Sequence, residues 1–169
     1  MNEYKQQYDR VGRFFSRLTN QNRSQIDYED DLWAFFQNCW HLKDWIKNDL
    51  TIPQNIRGKI EKEARKYKYK SIRIAADLAN RSKHSKLTPE HLKDPKCLDA
   101  KNTKKSVTVH VPCLPLHLNS KTGESHTDGE CRSEYFYTIA TKDGSEDDAV
   151  QIAKKAIADW DTIIKKLNI

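Results

Sequence analysis

Residues 30–49 read DDLWAFFQNCWHLKDWIKND, and their periodicity decides the fold. Leu32, Phe35, Phe36, Cys39, Leu42, Trp45 and Ile46 recur three and four apart, the spacing of one helical face. The stripe is wide, with Trp33 and Trp40 at its edges, so this helix packs on several neighbours at once. Glu29, Asp30 and Asp31 put negative charge into its first turn, where the helix dipole favours it, and Asp27 supplies a capping side chain. His41 and Asp44 lie three residues apart on one side of the same helix.

The same period extends in both directions. Tyr4, Tyr8, Val11, Phe15 and Leu18 mark a first helix, separated by the polar break Gln21 to Ser24. Thr51 to Pro53 marks a turn, after which Ile56, Ile60, Ala64 and Tyr67 predict a third helix. Ile72, Ala75, Leu78 and Ala79 predict a fourth, ending near His84 ahead of Pro89. Residues 87–105 read as a loop with one short turn. The period then drops to two: SVTVHV and SEYFYTIAT read as strands, joined by a turn-rich stretch into a long hairpin. Ser145 and Asp148 form an S-x-x-D cap for a last helix carrying Val150, Ala153, Ile157, Trp160, Ile164 and Leu167 on one face. The expected fold is mainly α. A four- to five-helix up-down bundle over residues 1–169 makes one domain, with a β-hairpin inserted at about 106–141, before the C-terminal helix.

Composition narrows the function. The net charge is +6, and between Lys59 and Lys105 fifteen Lys/Arg stand against six Asp/Glu. A basic stretch of this kind suits a polyanion such as RNA, with Arg65, Lys66, Lys68, Lys70 and Arg73 as candidate contacts. No run approaches the roughly 18 apolar residues of a membrane span. No leader-like stretch opens the chain, and its four cysteines form no CxxC, so a reduced, cytoplasmic setting is expected. Phosphate-loop, dinucleotide, zincin and α/β-hydrolase motifs are missing from the sequence.

The chemistry-bearing side chains gather near one helix end. Asp77, Asn80 and His84 are spaced three and four apart and share a face, flanked by Arg81 and Lys83. His41 and Asp44 could meet them across a helix pair. Such a set can cleave RNA without a metal or other cofactor. His84 would move the proton, Lys83 and Arg81 would stabilise phosphate charge, and Asn80 would position the imidazole. The bland alternative is a histidine favoured by the helix dipole at a C-terminus. A second set, Cys113, His117, His126 and Cys131 in the hairpin, has the donor types of a zinc site at loose spacing.

The stretches FFQNCWHLKDWI and DLANRSKH, with AKKAIADWDTII in the last helix, resemble a group of small bacterial proteins. These share an aromatic-His-Leu-x-Asp-Trp helix and an Asp-Leu-x-Asn-x-Ser-Lys-His helix end, and the group is similar to the HEPN superfamily. The resemblance implies a helical bundle, frequent homodimers, and roles in toxin–antitoxin, antiviral-defence or RNA-processing systems, with an antitoxin or defence protein as partner. Many members are metal-independent endoribonucleases carrying R-x4–6-H. Here only Ser82 and Lys83 separate Arg81 from His84, while Arg73 lies eleven residues before it. Two other expectations compete with RNA binding and cleavage. One is a non-catalytic helical module for interaction or dimerisation. The other is a metal-dependent enzyme using His41, Asp44, Asp77 and His84.

Overall fold

The computed structural model describes residues 2–20, 24–84, 86–110, 117–118, 125–126 and 132–169, the stretch 102–135 by backbone alone. It is mainly helical, with a small antiparallel hairpin ahead of the C-terminal helix. Four long helices form the body: α1 (Glu3–Leu18), α2 (Gln25–Asn48), α5 (Lys70–His84) and α7 (Ala149–Leu167). Three short ones, α3 (Gln54–Arg57), α4 (Ile60–Ala64) and α6 (Pro89–Lys93), turn the chain between them.

Helix α2 forms where its stripe predicts, and Leu32, Phe35, Phe36, Cys39, Leu42 and Ile46 are all buried. Burying each large side chain stabilises the fold by about 1.5–3 kcal/mol relative to leaving it in water. Its N-cap is Ser24 rather than Asp27. The Ser24 hydroxyl accepts from the Asp27 N–H at 3.1 Å and donates to the Asp27 carboxylate at 2.6 Å. The helix ends at Asp49, whose buried carboxylate reaches back to α1. It accepts from the Tyr4 N–H at 3.1 Å, and from the Thr51 N–H and hydroxyl at 2.9 and 2.6 Å. Burial alone would raise the Asp49 pKa; the hydrogen bonds from Thr51 and Tyr4 outweigh it and hold the carboxyl below the usual range. Asp49 therefore satisfies an early amide of α1, whose own N-cap, Asn2, makes no side-chain cap bond.

The expected third helix is two short pieces. Gly58 closes α3, with its N–H bonded to the Gln54 carbonyl at 3.0 Å, and the chain leaves helical geometry again after Ala64. Tyr67 is consequently exposed and Tyr69 takes the buried position. Glu63, nearly buried, ties α4 to α7 through Lys166 at 2.6 Å. Helix α7 sends Trp160 into the centre, fully buried, with its indole N–H on the Cys39 carbonyl at 3.0 Å.

Strand β1 (Lys101–His110) pairs with β4 (Arg132–Ala140) from Lys101–Ala140 to His110–Arg132, with an irregularity between Asn102 and Lys104. A third strand, β5 (Glu146–Asp148), adds to β4 in the order β1-β4-β5. Within the turn region, β2 (His117–Leu118) pairs with β3 (Ser125–His126). Tyr137 anchors the sheet on the bundle, stacked on Tyr28 at 5.1 Å between ring centres. Strand β5 displaces the expected Ser145 cap. Ser145 sits in the turn before β5, bonded to Lys70 at 2.9 Å, and Asp148 caps α7 by accepting from the Gln151 N–H at 2.8 Å.

Candidate active site at the end of helix α5

Helix α5 is the central element. Every residue from Ser71 to Ala79 is buried, including Arg73 and Asp77. A helix buried on all sides needs its polar groups satisfied, and here the segment 94–100 does this. Arg73 donates to the Lys96 carbonyl at 2.9 Å. Asp77 accepts from the Leu98 and Ala100 N–H groups at 2.8 and 3.3 Å. Arg81 donates to the Ala100 carbonyl at 2.8 Å and pairs with Asp99. These residues stand four apart, so one row of α5 stitches down a stretch of chain without regular structure.

Asp77 also holds a histidine. Thr88 and Pro89 start α6, with the Thr88 hydroxyl accepting from the His91 N–H at 3.3 Å. That turn brings His91 Nε2 to 2.8 Å from Asp77 Oδ1. Cys97 Sγ lies 3.7 Å from Asp77 Oδ2 and accepts from the Asp99 N–H at 3.3 Å. Asp99, which makes this contact and pairs with Arg81, takes the left-handed conformation, φ 50°. Burial above all pushes the Cys97 thiol pKa up; the Asp99 N–H opposes it and the Asp77 charge adds to it. Cys97 is therefore a protonated, unreactive thiol at neutral pH.

Beside the dyad is a pocket of about 180 Å³ lined by Asn80, His84, Lys86, Leu87, Thr88 and His91. Two of the sequence candidates, Asn80 and His84, thus line one pocket, as their shared helix face predicts. Lys83 is exposed on the same helix end. Arg81 is engaged with Asp99 and Ala100, so its guanidinium serves the fold. Asp77 lies behind the pocket wall, bonded to His91 rather than to Asn80 or His84. His41 and Asp44 form a separate knot on α2: Nδ1 to carboxylate 3.1 Å, with Lys43 on the other oxygen at 2.6 Å. Burial would raise the Asp44 pKa, but the bonds from Lys43 and His41 outweigh it and lower it. Gln37, one turn before His41, links α2 to α5 by donating to Ser82 at 2.7 Å.

The basic stretch divides. Arg73 is buried, with its guanidinium 4.8 Å from the Tyr67 ring centre. Arg65 pairs with Asp94, and Lys70 with Asp143 at 3.3 Å. Lys66 and Lys68 remain exposed, Lys66 bonded to Glu63 at 2.6 Å. Lys68 and Lys70 line a second cavity of about 250 Å³ with Lys155 and Asp159 at the start of α5. Burial raises the Asp159 pKa, and its hydrogen bond to Ser71 opposes this.

For the hairpin set, Cys113 and Cys131 lie outside the described residues. The backbone pairs His117 with His126 directly across β2 and β3. His91 and Cys97 escape the sequence reading. The Thr88-Pro89 pair is the available signal, since it starts a helix and so orients the residue two positions on. Comparison with protein-family models, with curated proteins and with solved structures finds no match for this chain.

Proposed function

We propose that this chain is a HEPN-like protein that binds RNA and cleaves it, without a metal, in the pocket at the end of α5. The observation that carries the reading is His91, oriented through Nε2 by the buried Asp77 carboxylate, on the wall of a pocket that His84 also lines. Two histidines beside one cavity supply the base and the acid that a transesterification needs. One imidazole accepts the proton of a 2′-hydroxyl. The hydroxyl oxygen attacks the adjacent phosphorus, the bond to the 5′-oxygen breaks, and the second imidazole protonates that leaving oxygen. The products are a 2′,3′-cyclic phosphate and a free 5′-hydroxyl. Asp77 would fix one tautomer of His91 and stabilise its imidazolium. Lys86 on the pocket wall and Lys83 nearby supply positive charge for the phosphate oxygens. The exposed Lys66 and Lys68 stand at the other end of α5, about 20 Å of helix away, where a longer strand would reach them. A homodimer and an antitoxin or defence-system partner belong to the same proposal.

The test is cleavage of a mixed RNA pool in EDTA by the wild type, His84→Ala and His91→Ala. Cyclic-phosphate ends from the wild type, and loss of cutting by about 100-fold or more in either variant, are expected. Equal cutting by all three, or none by folded wild type, would end the catalytic reading.

A further inference from the structure

We propose that Asp77, His91 and Cys97 form a binding site for a thiophilic divalent cation, Zn²⁺ in the first instance. One ligand atom from each lies within 4.8 Å of the others, and this is the only such group of three among the described residues. The donors are one carboxylate oxygen, one imidazole nitrogen and one sulfur. That mixture selects zinc, cobalt or ferrous iron over magnesium and calcium, which prefer all-oxygen shells.

The spacing fits with a small adjustment. Tetrahedral zinc with ligands at about 2.0–2.3 Å sets its donor atoms roughly 3.3–3.8 Å apart. Cys97 Sγ stands 3.7 Å from Asp77 Oδ2 while His91 Nε2 is on Oδ1, and one oxygen, the nitrogen and the sulfur all lie within 4.8 Å, so the donors draw together by up to about 1 Å around the ion. The His91–Asp77 contact of 2.8 Å is a direct hydrogen bond and opens by about half an ångström to admit the ion.

The surroundings are those of a metal site's outer shell. Leu98 and Ala100 donate to Asp77 Oδ2, which holds the carboxylate with Oδ1 directed at His91. The Asp99 N–H points at Cys97 Sγ, a contact that favours a coordinated thiolate. One carboxylate and one thiolate balance a dication, so a neutral unit is buried. The ion itself deprotonates the thiol on binding. Three protein donors leave a fourth position for water, as in open zinc sites.

The site has a consequence for the proposed activity but does not depend on it. Zinc on Nε2 removes the Asp77–His91 hydrogen bond and leaves Nδ1 as an N–H that cannot accept a proton. Zinc therefore inhibits cleavage, and a chain inactive on RNA still binds the metal.

The experiment is titration of EDTA-stripped full-length protein with Co²⁺, read by absorption. A sulfur-to-cobalt charge-transfer band in the near ultraviolet, saturating at one equivalent, is expected. It disappears in Cys97→Ser, and the affinity falls at least about tenfold in His91→Ala. The band persists in the Cys113→Ser/Cys131→Ser double variant, which separates this site from the hairpin cysteines. No band in the wild type overturns the proposal. So does a band retained in Cys97→Ser or lost in the hairpin double variant. If Cys97→Ser does not fold, His91→Ala decides: unchanged affinity overturns the proposal. RNA cleavage is scored separately, so failure of either proposal leaves the other readable.

Discussion

Replacing Asp77 by Ala removes the acceptor on which segment 94–100 hangs. The carboxylate is 1% exposed, so water does not take its place easily. Two main-chain N–H groups, Leu98 and Ala100, lose their partner, and His91 loses its bond from α5. An unsatisfied buried donor costs about 1–3 kcal/mol. Two of them, reduced by some relaxation toward the neighbouring pocket, make about 2–5 kcal/mol. For a chain of this size each kcal/mol lowers Tm by roughly 2–4 °C, so the melting point falls by about 4–20 °C. Asp77→Asn separates geometry from charge. Its amide oxygen can accept the same two N–H groups while its NH₂ faces His91, so the cost is about 1–2 kcal/mol. Urea denaturation followed by far-ultraviolet circular dichroism measures both variants. An Asp77→Ala cost under about 1 kcal/mol would refute the claim that this carboxylate holds the segment. An Asp77→Asn cost equal to that of Asp77→Ala would refute the claim that acceptor geometry carries the effect.

Other outcomes follow from the same contacts. In Asp77→Asn the new side-chain amide donates to His91 Nε2 and so reverses the tautomer, and RNA cleavage should fall by roughly 10²–10⁴ while the fold persists; undiminished cleavage would remove Asp77 from the mechanism. Asp49 has its pKa held below the unfolded value, so its contribution is fully present above about pH 4 and is lost as pH falls through the folded pKa. Stability of Asp49→Asn measured between about pH 2 and 5 should therefore vary less with pH than that of the wild type, and an identical profile would contradict this. Trp160→Phe deletes the bond to the Cys39 carbonyl and leaves a gap at the bundle centre, which should cost about 1–3 kcal/mol by chemical denaturation. RNA affinity should fall with salt on a log–log plot, and Lys66→Ala with Lys68→Ala should flatten that slope; an unchanged slope would move the binding surface elsewhere.

What can be read in advance depends on range. The stripe of Leu32 to Ile46 and the run from Val150 to Leu167 are local patterns, and α2 and α7 appear where they lie. The two strands at Val107 and Tyr135 are equally local, because alternation needs only neighbours. Ser145 and Asp27 mislead for one reason: each stretch offers two nearby capping side chains. Pairing of Glu146–Asp148 with β4, or of Ser24 with Asp27, then chooses between them. The third helix fails because Gly58 and the 65–69 bend cost more helix than Ile56, Ile60 and Ala64 recover. Within the site, Asn80 and His84 are legible as neighbours on one face. His91 and Cys97 are not, because they meet Asp77 only after the chain reverses over 14 and 20 residues. Nothing in a helical period reports such a closure. The same limit hides the burial of Arg73, which looks like surface charge until its acceptor, the Lys96 carbonyl, is in place.

Ala100 is gripped at both ends by α5, its N–H by Asp77 and its carbonyl by Arg81. The next residue, Lys101, is the first to pair with β4, opposite Ala140. The helix thus plays the part of a neighbouring strand for one residue, and starts the ladder from a fixed point. Slipping a strand by a single position turns every side chain to the opposite face. Two side chains on a buried helix therefore fix where the ladder of the sheet begins. Across it on β4, Tyr137 and Ile139 are buried against the bundle.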